Sequence, residues 1–267
     1  MSSNSIKTTV RLTESAIMLA VAFLLSLIPF IAMPFGGSIT LFSMVPILLV
    51  AYRHGIKWGL ITAAAGALLQ MAMGLNNFSY ATSALAVVMI FLFDYFLAFG
   101  CLGLGGIFRG KCRNNQALEL ALGALLCCAI RYACHLVSGY VVWRDISIPA
   151  TDALIYDIAY NAAYMVPETI LTVAGALALG SALDFRGESL KRLAGQRGGI
   201  GAILAFVVLI LAIAAAAVCL FMAIQTEEGF DITAIGSANW YVVIPLLAVA
   251  FIAGAAAALL SLKKTKE

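Results

Sequence analysis

Four ionisable residues stand in stretches that are otherwise apolar. Asp94 sits in IFLFDYFLAF, Arg131 and His135 in AIRYACHLV, and Glu168 directly after Pro167. A charge at the centre of a membrane helix costs about 2.5–3.5 kcal/mol on insertion scales and marks a functional position by default. Arg131 and His135 are four apart and share a helix face. Asp157, Asn161, Tyr164 and Glu168 follow one another at spacings of four, three and four, a polar stripe flanked by Tyr156 and Tyr160. An acid, an imidazole, an amide and several phenols converging from three helices describe a small-molecule pocket. Trp143 lies eight residues after His135, slightly over two turns on, so both rings can sandwich a flat, cationic ligand. A packing role competes at each position: Asp94 could pair with Arg131, and Arg131 with Glu168.

The elements that hold these groups must be membrane helices. Of 267 residues, 63% are hydrophobic and 11% charged, whereas soluble domains run about 45–50% and about 25%. The mean hydropathy is +1.04. These values exclude a soluble enzyme, a disordered chain and a nucleic-acid-binding module. Long continuous apolar runs, rather than short alternating ones, exclude a membrane β-barrel. The fold class is an all-α integral membrane protein. Spans of about 20 residues are expected in about eight places: Ala16–Ala32, Ile39–Tyr52, Trp58–Met73, Ser83–Phe108, Leu118–Val142, Ile155–Leu183, Gly201–Ala223 and Tyr241–Leu262. The second is short and carries Pro46. No small-residue cleavage pattern closes the first run, so that helix is expected to be retained.

Basic residues cluster in alternate loops: Arg53, His54 and Lys57; Arg109, Lys111 and Arg113; Asp184 to Arg197; and the final lysines. The loops between them are uncharged, mixed or acidic. The positive-inside rule then puts both termini in the cytoplasm. The longest polar stretch, Asp184–Gly199, divides helices that contain ionisable groups from two that do not. The expected organisation is a cytoplasmic segment 1–14, a six-helix substrate-binding core 15–185, a basic linker 186–200, two extra helices within 201–262 and a basic tail 263–267. Trp58 and Trp240 fall near helix ends, where interfacial belts place tryptophan.

Several chemistries are absent from the pattern. Gly105 to Cys112 resembles a phosphate-binding loop, but Cys112 stands where a hydroxyl residue must bind Mg²⁺ and a membrane helix precedes it. Gly100, Gly103, Gly105 and Gly106 instead suit close helix approach. Ser138 lacks the glycine two positions earlier that a serine nucleophile would present. The six cysteines form no CxxC pair and read as small apolar residues. No catalytic residue, metal site or cofactor is expected.

The segments RLTESAIMLAVAFLLSLIPF, MVPILLVAYRHG, FDYFLAFGCLGLGGIFRG, RYACHLVSGYVVW and YDIAYNAAYMVPE resemble the thiamine-specific S component of energy-coupling factor (ECF) transporters, over roughly residues 8–185. The resemblance implies a six-helix vitamin-binding subunit in a prokaryotic plasma membrane. It implies three partners, a transmembrane coupling subunit and two cytoplasmic ATPases, which supply the energy for import. Matched by position, it implies substrate contacts at Asp94, Tyr95, His135, Trp143, Tyr156 and Asn161, and coupling-subunit contacts at Ala16 and Ala20. Two family tryptophans are replaced, one by the Pro34–Gly37 loop and one by Gly66, with Gln70 one turn on; Tyr80 offers a substitute aromatic. Asp94 stands where the family acid is Glu, and the two final helices have no counterpart in the family core. The acid would answer the thiazolium charge, and the phenols and amide would bond the aminopyrimidine. Two alternatives stay open. One keeps the architecture for a thiamine precursor or another flat heterocycle. The other is a self-sufficient, proton-coupled secondary transporter using Asp94 or Glu168, against which the lack of an internal repeat counts.

Overall fold

The computed structural model describes residues 3–33, 36–113, 115–145, 150–187, 189–193, 200–226 and 229–262. The chain forms two compact units, Met1–Ala176 and Leu177–Glu267. Among the described residues, seven helices are long and apolar enough to cross a membrane. The sequence predicts about eight, and the difference lies near the N-terminus.

Helix α1, Ser3–Ser26, begins inside the polar lead and stops six residues before the predicted Ala32. Pro29 is the reason, since it restricts the residue before it and cannot continue the helix hydrogen bonding. Strand β1, Pro29–Ala32, pairs antiparallel with β2, Ser38–Thr40, through Pro29–Thr40, Ile31–Ile39 and Ala32–Ser38. The predicted span Ile39–Tyr52 is therefore a correction: its first residues belong to this hairpin, and only α2, Val45–His54, is helical. Ten residues make about 15 Å of helix, half of the hydrocarbon thickness. Pro46 sits in the first turn of α2, where no backbone donor is needed. Every residue from Val45 to Tyr52 is buried, so the short helix is sheltered by protein.

Gly55, at φ +91°, turns the chain directly into α3, Ile56–Met73. Helix α4 runs over Ala84–Leu104. It starts on Ser83, whose hydroxyl accepts a hydrogen bond from the Ala86 amide at 3.1 Å. Its middle, Ile90–Leu97, is wound as a π-helix. Helices α5, Gln116–Asp145, and α6, Ala150–Ala182, follow. Close packing of α3 and α4 is made by glycine. A Cβ on Gly103 would stand 2.5 Å from the Leu60 Cα, and one on Gly59 would stand 2.7 Å from the Gly103 carbonyl. Gly105 and Gly106 press on α2 in the same way, whereas Gly100 faces open space and has no such role.

The end of the first unit that carries the basic loops is tied together by polar groups. Glu14 accepts hydrogen bonds from Arg53 Nε at 2.6 Å and pairs with His54 at 2.8 Å. Arg109 donates to the carbonyls of Tyr52 and Arg53, capping α2 where its dipole is negative. Trp58 donates its indole N–H to Ser15 at 2.8 Å, so it is an interhelix tie as well as a helix-end aromatic. In the second unit, β3, Leu183–Asp184, pairs with β4, Lys191–Arg192. Helices α7, Ile200–Ile224, and α8, Trp240–Leu262, bury Leu209, Ala216, Val243 and Ala250.

Candidate functional site

At the opposite end of the first unit lies a cavity of about 350 Å³, within the range that holds small organic ligands. Its walls come from the β1–β2 turn (Gly36, Gly37), the α3–α4 loop (Asn76, Asn77, Tyr80), α4 (Asp94, Tyr95, Phe99), α5 (Arg131, His135, Gly139) and α6 (Tyr160, Asn161, Tyr164, Glu168).

Asp94 is the more open of the two acids that line the cavity. Its side chain is 29% exposed, against 10% for His135, 9% for Arg131 and 3% for Glu168. The widened π turn carries Asp94 and Tyr95 together, and π segments recur at functional sites. Asp94 Oδ1 lies 2.9 Å from His135 Nδ1, and Oδ2 accepts from the Ser138 hydroxyl at 2.8 Å. Arg131 Nε donates to His135 Nε2 at 3.2 Å. That bond requires Nε2 to be the acceptor, so the ring proton is on Nδ1 and donates to Asp94. Both ring nitrogens are thereby used, and His135 has only its face and edge to offer a ligand. The edge-to-face contact with Tyr164, 5.9 Å between centroids, fixes that ring further.

The expected alternative of an Asp94–Arg131 pair is not what forms. Arg131 reaches Glu168 instead, at 3.9 Å, and lies 4.3 Å over the Phe99 ring. Glu168 in turn accepts from the Thr40 amide at 2.8 Å and the Thr40 hydroxyl at 2.7 Å, beside Ser43. A buried charge needs a partner and satisfied hydrogen bonds, and this chain of groups supplies them. Tyr95 donates to the Gly74 carbonyl and accepts from Asn77, both at 2.9 Å, and stacks between Phe78 and Phe99. Tyr95 and Phe99 give the cavity an aromatic side.

Of the remaining predicted contacts, Tyr80 and Asn161 line the cavity. Tyr156 sits behind the wall, stacked on Tyr160 at 6.1 Å. Trp143 belongs to α5, but its side chain lies outside the described residues. Ala16 and Ala20 are exposed on α1, away from the cavity. Sequence reasoning passed over Ser138, Phe99, Thr40, Ser43 and Asn77. Ser138 was findable, being three residues after His135 on the same face. Thr40 carried no local signal, because its partner Glu168 is 128 residues away.

The family model for Thiamine transporter protein (Thia_YuaJ) matches residues 12–184. This chain belongs to the thiamine transporter family. All the cavity-lining residues, from Ser26 to Glu168, fall inside the matched segment. The chain is also similar to thiamine transporter ThiT of Bacillus subtilis (strain 168), with 36% identity over 182 residues, 63% of this chain and 88% of that protein. Family membership and the seven apolar helices among the described residues make this chain a multi-pass membrane transporter.

Proposed function

We propose that the chain is the substrate-binding membrane subunit of an ATP-driven importer of the ECF type and that its ligand is thiamine. The observation that carries this is the state of Asp94. It is a carboxylate held by two donors on the protein side and open on the cavity side. Such a group is stabilised by a cation, and a thiazolium carries its charge permanently. Tyr95, Phe99 and His135 bring flat rings to the same space, which suits two aromatic heterocycles. Tyr160 and Asn161 bring hydrogen-bonding capacity, and Tyr80 closes the side toward the α3–α4 loop.

Energy coupling is assigned to partners. The sequence carries no ATPase motif, so hydrolysis belongs to two cytoplasmic ATPases reached through a transmembrane coupling subunit. Ala16 and Ala20, small and exposed on α1, suit close approach of that subunit's helix. The basic loops around Arg53, Arg109 and Lys191 set the cytoplasmic side, which directs the cavity outward in a prokaryotic plasma membrane and puts both termini inside. The six-helix core then ends near residue 185, and α7 and α8 are an appendix. Titration calorimetry of the purified protein with thiamine tests the ligand. Co-purification with the coupling subunit, and its loss in Ala20→Trp, tests the assembly. No heat of binding with thiamine at millimolar concentration would refute the ligand assignment.

A further inference from the structure

Among the described residues, one buried side-chain polar atom has no hydrogen-bond partner: Oδ2 of Asp157. Asp157 is fully buried on α6, one turn before Asn161. An unsatisfied buried oxygen is costly to keep, so its retention calls for a reason. The other oxygen, Oδ1, accepts from Asn161 Nδ2 at 2.8 Å, and the Asp157 main-chain carbonyl accepts from the same nitrogen at 3.0 Å. An amide nitrogen has two hydrogens, and both are spent here. On its other side Asn161 Oδ1 accepts from the Tyr164 hydroxyl at 2.6 Å and keeps its second lone pair. Gly139 on α5 makes room for the carboxyl, since a Cβ there would collide with Asp157 Oδ1.

We infer that Asp157 is a specificity-determining positioning residue. By holding the Asn161 amide nitrogen, it turns the amide oxygen to the cavity. The site thereby selects a ligand that brings an N–H donor to that place, an exocyclic amine on a heteroaromatic ring, over one that brings a carbonyl. His135 and Tyr95 cannot substitute as donors, because their protons go to Asp94 and to the Gly74 carbonyl. The inference rests on the thiamine reading, since thiamine carries such an amine on its pyrimidine.

The test compares thiamine with oxythiamine, which has an oxo group in place of that amine and the same thiazolium charge. Calorimetry on the full-length chain gives the affinity ratio for wild type, Asp157→Leu and Asp157→Asn. Wild type should prefer thiamine by about tenfold or more, and Asp157→Leu should bring the two ligands within about threefold. Any change in charge at residue 157, or general loosening of the fold, weakens both ligands alike and cancels in the ratio. Asp157→Asn keeps the size and can turn either end to Asn161, so its ratio should fall between the others; it decides the matter if the leucine variant does not fold. An unchanged ratio in a folded Asp157 variant, or a wild type indifferent to the exchange, overturns this inference and leaves the thiamine assignment standing. A wild type that binds no thiamine overturns both.

Discussion

Replacing Asp94 by asparagine isolates the charge that the site offers its ligand. The exchange keeps the shape, and the surroundings can accommodate it. Asparagine Oδ1 can still accept from His135 Nδ1, and Ser138, which now donates at 2.8 Å, can rotate its hydroxyl and accept from the new amide nitrogen. The fold should therefore survive, and no buried group is stranded, because Arg131 is paired with Glu168 rather than with Asp94. A fixed positive charge about 4–5 Å from the carboxylate is worth about 3–4 kcal/mol at an effective dielectric constant of about 20. The 29% exposure of the Asp94 side chain lets solvent screen part of that. About 2–3 kcal/mol then remains, or about thirty- to about 150-fold in affinity for thiamine. Calorimetry on both proteins, with thermal unfolding in the same detergent, measures the two effects separately. A folded Asp94→Asn variant with unchanged affinity would remove Asp94 from the ligand's surroundings and with it the case for a cation. A variant that is destabilised equally with and without ligand would give the residue a packing role.

Glu168→Leu should lower unfolding stability by about 3–5 kcal/mol, because it strands the buried Arg131 guanidinium; Glu168→Gln, which keeps an acceptor for Thr40, should lose clearly less, and equal melting temperatures would contradict the pairing. Bulky substitution at Ala16 or Ala20 should abolish vitamin uptake in cells while leaving thiamine binding to the purified protein within about twofold, since an exposed surface site contributes little to the fold; loss of binding would put that face in the pocket. A chain ended after Gln196 should bind thiamine as the full chain does, because the cavity is lined from Ser26 to Glu168; a folded truncate that fails to bind would show that α7 or α8 contributes to the site.

What the sequence reveals and what it hides divide along physical lines. The stripe Asp157, Asn161, Tyr164 and Glu168 is legible because one helix fixes the relation between residues three and four apart. The same holds for Arg131 with His135. The hairpin 29–40 is hidden by composition: Phe30, Ile31 and Ala32 continue an apolar run, and only Pro29 and the later glycines signal that the helix has ended. The length of α2 is hidden too, since burial among other helices leaves it as apolar as a spanning segment. Contacts between distant segments, Thr40 with Glu168 or Asn77 with Tyr95, have no periodicity to betray them. The pairing of Asp94 was open to the wrong reading because charge alone favours Arg131, whereas the observed fold gives the acid His135 and Ser138 and gives Arg131 a second acid.

The π-wound stretch Ile90–Leu97 has a consequence for how this region can change by insertion or deletion. It accommodates more residues per turn than an α-helix does, so removing one residue would let the segment relax to ordinary winding without breaking the helix. The turns on either side would keep nearly their present directions, since seven residues at about 100° each cover about the same rotation as eight in the wider winding, but the bulge that carries Asp94 and Tyr95 together to the cavity would be gone. Residue identity at these two positions is thus only half of the constraint. The number of residues between Ile90 and Leu97 is the other half, and a relative that kept the acid and the phenol but shortened the segment would keep the letters and lose the geometry.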